Sequence, residues 1–132
     1  MVEANKRAVQ DAIDSFNNFH DRSGYFRMYD EKCVVHGLPP GLSPDIAGLT
    51  QFYEGLWRAF PDIKISVEAL FGEKDSVAVR FLANGTHAED FFDHKANGNH
   101  ATFYVILHLV FRDERVVHRW SQLTMIEEPI QA

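Results

Sequence analysis

One proline divides this chain between two hydrophobic periods. Ahead of Pro61 the apolar residues recur every three or four positions, and behind it they alternate. In the first half, Val9, Ala12, Ile13, Phe16 and Phe19 have the spacing of one helix face, which leaves Gln10, Asp11, Asp14, Asn17 and Asn18 to water. Asp21, Ser23 and Gly24 end that helix, and Tyr25 to Tyr29 is long enough for a further turn or two. Cys33-Val34-Val35 reads as a brief strand before His36. The stretch from Gly37 to Leu42 carries two prolines and two glycines and cannot be regular. Ser43 before Pro44 has the pattern of an N-cap followed by proline at the first helical position. Behind it Ile46, Leu49, Phe52, Tyr53, Leu56, Trp57 and Phe60 make a second apolar stripe.

After Pro61, Ile63, Ile65, Val67 and Ala69 alternate with polar residues, and Val77, Val79 and Phe81 repeat the pattern beyond a turn at Gly72 to Asp75. Residues 85 to 100 are polar and read as a loop. Thr102 to Phe111 and Val116 to Thr124 complete a four-stranded antiparallel meander. Helices first and strands after predict an α+β fold with the helices against one sheet face. A twisted, curved sheet with so few helices tends to leave a cavity on its concave side. If Asp113-Glu114 closes a two-residue hairpin, Leu109 lies opposite His118 and Leu107 opposite Trp120. His118, Trp120, Gln122 and Thr124 then share the apolar inner face. A bulge would invert that assignment, and His108 enters the cavity only if His118 leaves it.

The length of 132 residues fits one domain, residues 1–132. With 19 acidic and 13 basic side chains the formal charge is -6, which argues against nucleic acid or an anionic membrane as the partner. One cysteine, Cys33, excludes an internal disulfide framework and a thiolate-rich zinc site. No apolar run reaches membrane-spanning length and the N-terminus is amphipathic, so the expected location is cytoplasmic.

The run from His36 to Gly41, the stretch from Leu56 to Asp62, Gly85-Thr86-His87 and the segment from Arg115 to Trp120 occur in the order seen in one group of proteins. On these motifs the chain resembles the NTF2-like superfamily and, within it, the SnoaL-like polyketide (ester) cyclase group, over residues 5 to 125. The resemblance implies a cone: a curved antiparallel sheet around a pocket capped by N-terminal helices. It also implies a dimer through the outer sheet face, and chemistry on a small apolar, enolisable substrate without metal or cofactor. His87 would contact a ligand at the end of a pocket-lining strand. The chain departs from the pattern at Thr124, where the group commonly has an acid/base aspartate four residues after the tryptophan. Gly37 stands where related ketosteroid isomerases place their base carboxylate. Lys95-Ala96 replaces a Pro-Pro pair, and Glu114 a hairpin glycine.

Both standard carboxylates being absent, His36 and His118 are the candidate proton carriers. Each has a plainer reading: His36 as a histidine fixing the proline-rich turn, His118 as a surface residue on a strand of opposite register. Trp57, Phe81 and Trp120 either pack on a ligand or fill the core. Gln122 and Thr124 would orient a carbonyl. His87, Glu89, Asp90, Asp93 and His94 crowd one segment but lack the spacing of a zinc site, so they read as a solvated loop. Phe91-Phe92 suits a lid or a dimer contact. The Asn84-Gly85-Thr86 sequon is idle without secretion, and Cys33 is expected buried. The leading expectation is a SnoaL-like enzyme using metal-free acid/base chemistry on a small apolar molecule. The alternatives are a non-catalytic small-molecule binding module and a dimeric interaction domain.

Overall fold

The computed structural model describes residues 1–128. Two helices, α1 (Val2–Phe16) and α2 (Ile46–Ala59), and a 3-10 segment at Arg22–Met28 pack on a five-stranded sheet. Its strands are β1 (Tyr29–Val35), β2 (Lys64–Glu73), β3 (Ser76–Thr86), β4 (His100–Arg112) and β5 (Arg115–Glu128), in the order β1-β5-β4-β3-β2. The curved sheet stays unclosed, and the helices lie against its concave side. No helix among the described residues is long and apolar enough to cross a membrane.

The meander forms as the alternation predicts, but the sheet has a fifth strand. β1 runs parallel to β5 and makes the edge, with Val34 opposite His118. Parallel pairing needs a long crossover, so no local turn signal announces it. The helix limits also differ from the sequence reading. Phe19 lies beyond the end of α1 and is exposed. Ser43 does not cap α2; Asp45 does, accepting from the Gly48 amide at 3.0 Å, while the Ser43 hydroxyl donates to Asp45 at 2.6 Å. Asn17 does not face water either. Its amide donates to the Ile65 carbonyl at 2.9 Å and accepts from the Ile65 amide at 2.7 Å, which clamps the end of α1 to β2.

The turn at Asp113-Glu114 is the two-residue hairpin expected, with both residues at positive φ (51° and 66°). A bulge follows at once. Phe111 faces Val116 but Val110 faces His118, so Val117 is the extra residue. Because side chains alternate with period two, that one residue exchanges the two faces of β5. Arg119 comes opposite Leu109 and Ser121 opposite Leu107, both on the concave face.

The core lies between the helices and the inner face of the sheet. Phe103, Val105, Leu107, Leu109 and Phe111 of β4 are all buried, as the alternation predicts. Leu49 in the first turn of α2 is fully buried, as are Ala59, Phe60 and Ile63, which run from the end of α2 to the start of β2.

Candidate functional site

The helices do not fill the concave side. A cavity of about 380 Å³ remains between α2, the strands and the turn after β1, within the size range of small-molecule sites. Its walls are mostly apolar: Phe52 and Leu56 from α2, Ile63 and Ile65 from β2, Phe81 and Ala83 from β3, Phe103 and Val105 from β4. The polar side chains are those of Tyr53 on α2 and of Arg119 and Ser121 on β5. Gly37 closes the β5 side at φ +85°. A Cβ there would stand 2.9 Å from the Ser121 carbonyl oxygen, so glycine lets the turn approach β5. The His36 amide donates to the Arg119 carbonyl at 2.7 Å and fixes the same junction.

Arg119 is the unexpected member. Its side chain is 3% exposed, although it carries a full charge. Nε donates to the Tyr29 hydroxyl at 3.1 Å and Nη2 to the Tyr53 hydroxyl at 2.8 Å. The Tyr25 hydroxyl bridges those of Tyr29 and Tyr53, at 2.8 Å to each. Burial pushes all three phenols well above the usual tyrosine range, against the opposing pull of Arg119. They therefore stay protonated and act as hydrogen-bond donors. Cys33, on β1, is buried too, and burial raises its thiol to about 11, so it is no nucleophile.

The histidines and aromatic residues singled out from sequence divide among several places. The Val117 bulge turns His118, Trp120, Gln122 and Thr124 to the outer face, with Gln122 opposite Ile106 and Thr124 opposite Tyr104. His36 is there as well. Its ring stacks on Trp120, with centroids 4.6 Å apart and planes 6° apart, and its Nε2 lies 3.4 Å from His118 Nδ1. His108 pairs with Trp120 on the same face and did not enter the cavity when His118 left it, because β4 keeps its own alternation whatever β5 does. Neither His36 nor His118 lines the cavity, so neither stands where a ligand held inside would meet it.

Of the aromatic and polar candidates, Phe81 lines the cavity, whereas Gln122 is exposed on the outer face, opposite Ile106. Trp57 does not. It packs against Phe16, Phe26 and Tyr53, and its buried indole Nε1 has no partner among the described residues. His87 is fully buried outside the cavity lining, stacked on Phe60 at 4.7 Å. Its Nδ1 is bonded to Glu127 at 2.5 Å and its amide donates to Asn99, which ties the 87–99 segment to the sheet. Partial burial tends to raise the Glu127 carboxyl, but the bonds from Asn97 and His87 outweigh it and hold the group below the usual carboxylate range. Phe91 is buried against Phe52 and Phe60, and Phe92 stacks on Phe52. The described residues contain no cluster of three or more metal-ligating side chains.

Sequence reasoning passed over Tyr53, Arg119 and Ser121. Tyr53 was hidden in an apolar helical stripe. Arg119 and Ser121 were assigned to the solvent face by a register one residue out.

The family model for SnoaL-like polyketide cyclases matches residues 7–127. No curated protein matches the chain. Among solved structures, AclR from Streptomyces galilaeus, assigned as a hydroxylase, is similar at a TM-score of 0.83 and 23% identity, over 94% of this chain and 91% of that one. IdmH from Streptomyces antibioticus, assigned as a polyketide cyclase, is similar at 0.75 and 24% identity, over 90% and 91%. A SnoaL-like polyketide cyclase from Jannaschia sp. CCS1 gives 0.77 and 17% identity, over 92% and 86%. At these identities the likenesses are likenesses of fold.

Proposed function

The chain belongs to the SnoaL-like polyketide cyclase family, and we propose that it acts on a small, apolar, polyketide-like ketone held in the concave cavity. The observation that carries this reading is a greasy chamber with hydrogen-bond donors on one wall, Tyr53 and Arg119 at its centre. A carbonyl oxygen against that wall accepts from both. As an α C–H bond ionises, the electron pair moves onto that oxygen, where the fixed donors and the cationic guanidinium favour it. Burial in an apolar wall strengthens the effect. No histidine or carboxylate lines the cavity among the described residues, so solvent base takes the proton. Ser121 supplies a further polar contact that orients the ring. That same lack of a base favours a second reading, a module that binds such molecules without turning them over.

We also infer a homodimer through the outer sheet face, where Tyr104, Ile106, Trp120 and Ile126 are exposed. A contiguous apolar face of this kind suits association.

The test is the exchange of the α protons of 2-tetralone, a ring ketone small enough for the cavity, followed by NMR in heavy water at neutral pH. The expected result is saturable exchange about 10²-fold or more above buffer, the scale of one preorganised donor. Saturable binding with exchange at the buffer rate would establish the binding module instead.

A further inference from the structure

Arg119 and its tyrosines have more donors than acceptors. The three phenols hold three protons, and the two phenol–phenol bonds use two of them. Both arginine bonds end on phenol oxygens and so use no phenolic proton. One phenolic proton is left over. Of the three tyrosines only Tyr53 lines the cavity. When Tyr29 donates to Tyr25 and Tyr25 to Tyr53, the spare proton belongs to the Tyr53 hydroxyl. The guanidinium has a spare donor as well, because Nη1 makes no hydrogen bond among the described residues.

Charge repeats the imbalance. No carboxylate lies within ion-pair distance of Arg119 among the described residues. A buried cation of this kind is costly unless something offsets it. Phenol dipoles solvate it but do not neutralise it.

We propose that the ligand of this cavity arrives as an anion: an apolar ring molecule with an ionised oxygen, of a carboxylate or an acidic 1,3-dicarbonyl, seated on Arg119 Nη1 and the Tyr53 hydroxyl. The inference rests on the cavity being the ligand site and narrows what enters it. For a 1,3-dicarbonyl the same charge accounts for a wall without a base, since the α proton has already gone to solvent when the enolate enters. A charge-assisted bond to a desolvated guanidinium is among the stronger hydrogen bonds available, so a neutral ligand of the same shape should be measurably disfavoured.

The probes are 2-naphthoate and 2-naphthamide, which share ring and shape and differ in charge. Calorimetric titration of the parent protein at pH 7 should show the naphthoate bound at least tenfold more tightly. Arg119→Met should bring the two affinities within about twofold, and Arg119→Lys should keep part of the preference. Equal affinities in the parent, or a preference that survives Arg119→Met, would overturn the proposal. The comparison in the parent decides the question even if a variant folds poorly. Binding of naphthamide alone would overturn the anion and leave the cavity as ligand site; binding of neither would overturn both.

Discussion

Arg119→Met is expected to remove the catalysed exchange of 2-tetralone, a loss of about 10²-fold or more, while leaving the protein at least as stable as its parent. Function and stability part here because the residue holds a buried charge. Its guanidinium is the cationic donor of the cavity wall, and removal of one preorganised donor typically costs about 10²–10³ in rate. Stability responds differently. Taking a cation out of water is costly, and an apolar side chain of similar volume in its place is often neutral or stabilising. The phenols left behind are not orphaned, because Tyr25 still bonds both Tyr29 and Tyr53 at 2.8 Å. Thermal unfolding beside the exchange rate checks both halves. An arginine that merely holds the tyrosines together would give the reverse, with a lower unfolding temperature and unchanged exchange.

Phe60→Ala is expected to cost about 3–5 kcal/mol, the range for emptying a buried phenylalanine site. The ring is fully buried at the end of α2, with His87 stacked on it at 4.7 Å and the edges of Phe91 and Phe103 at 5.6 and 5.0 Å. Elements on several sides meet there and cannot collapse together without moving α2, the 87–99 segment or β4. Against a typical total of about 5–15 kcal/mol, such a loss is severe. Denaturant unfolding should show a lower midpoint with little change in slope. A cost below about 1 kcal/mol would mean that these elements can close up over the missing ring.

Most of the scaffold was legible because its signals are local. The change of period at Pro61 divides the two helices from the β2–β5 meander, and alternation along β4 sets which of its residues are buried. Asp113-Glu114 forms the tight turn expected of it. The signals that failed are those in which distant parts of the chain decide. Pairing of β1 with β5 joins residues more than eighty positions apart. Asn17 is polar and belongs on a wet face by composition, yet Ile65 offers it both an amide and a carbonyl.

The site was less legible than the fold because it depends on one inserted residue. Val117 is the same residue type as Val116 before it, and nothing in its type marks a bulge. Yet the bulge sends His118, Trp120, Gln122 and Thr124 outside and brings Arg119 and Ser121 in. The departure at Thr124 turned the expectation from a carboxylate to His36 and His118, and neither lines the cavity. The usable hint was Arg119 itself, a charge in a strand two residues from another inward position, in a chain with tyrosines at 25, 29 and 53.

The central claim is that the concave cavity, and not the outer face with its stacked histidines, receives the ligand. Isoleucine labelling tests it directly. Ile63 and Ile65 line the cavity, whereas Ile106 lines the outer groove beside His36 and Trp120. With only the isoleucine δ1 methyls protonated and 2-tetralone in excess, intermolecular NOEs should run from ligand protons to Ile63 and Ile65 and not to Ile106. NOEs to Ile106 without any to Ile63 or Ile65 would contradict the account and return the site to the histidines of the outer face.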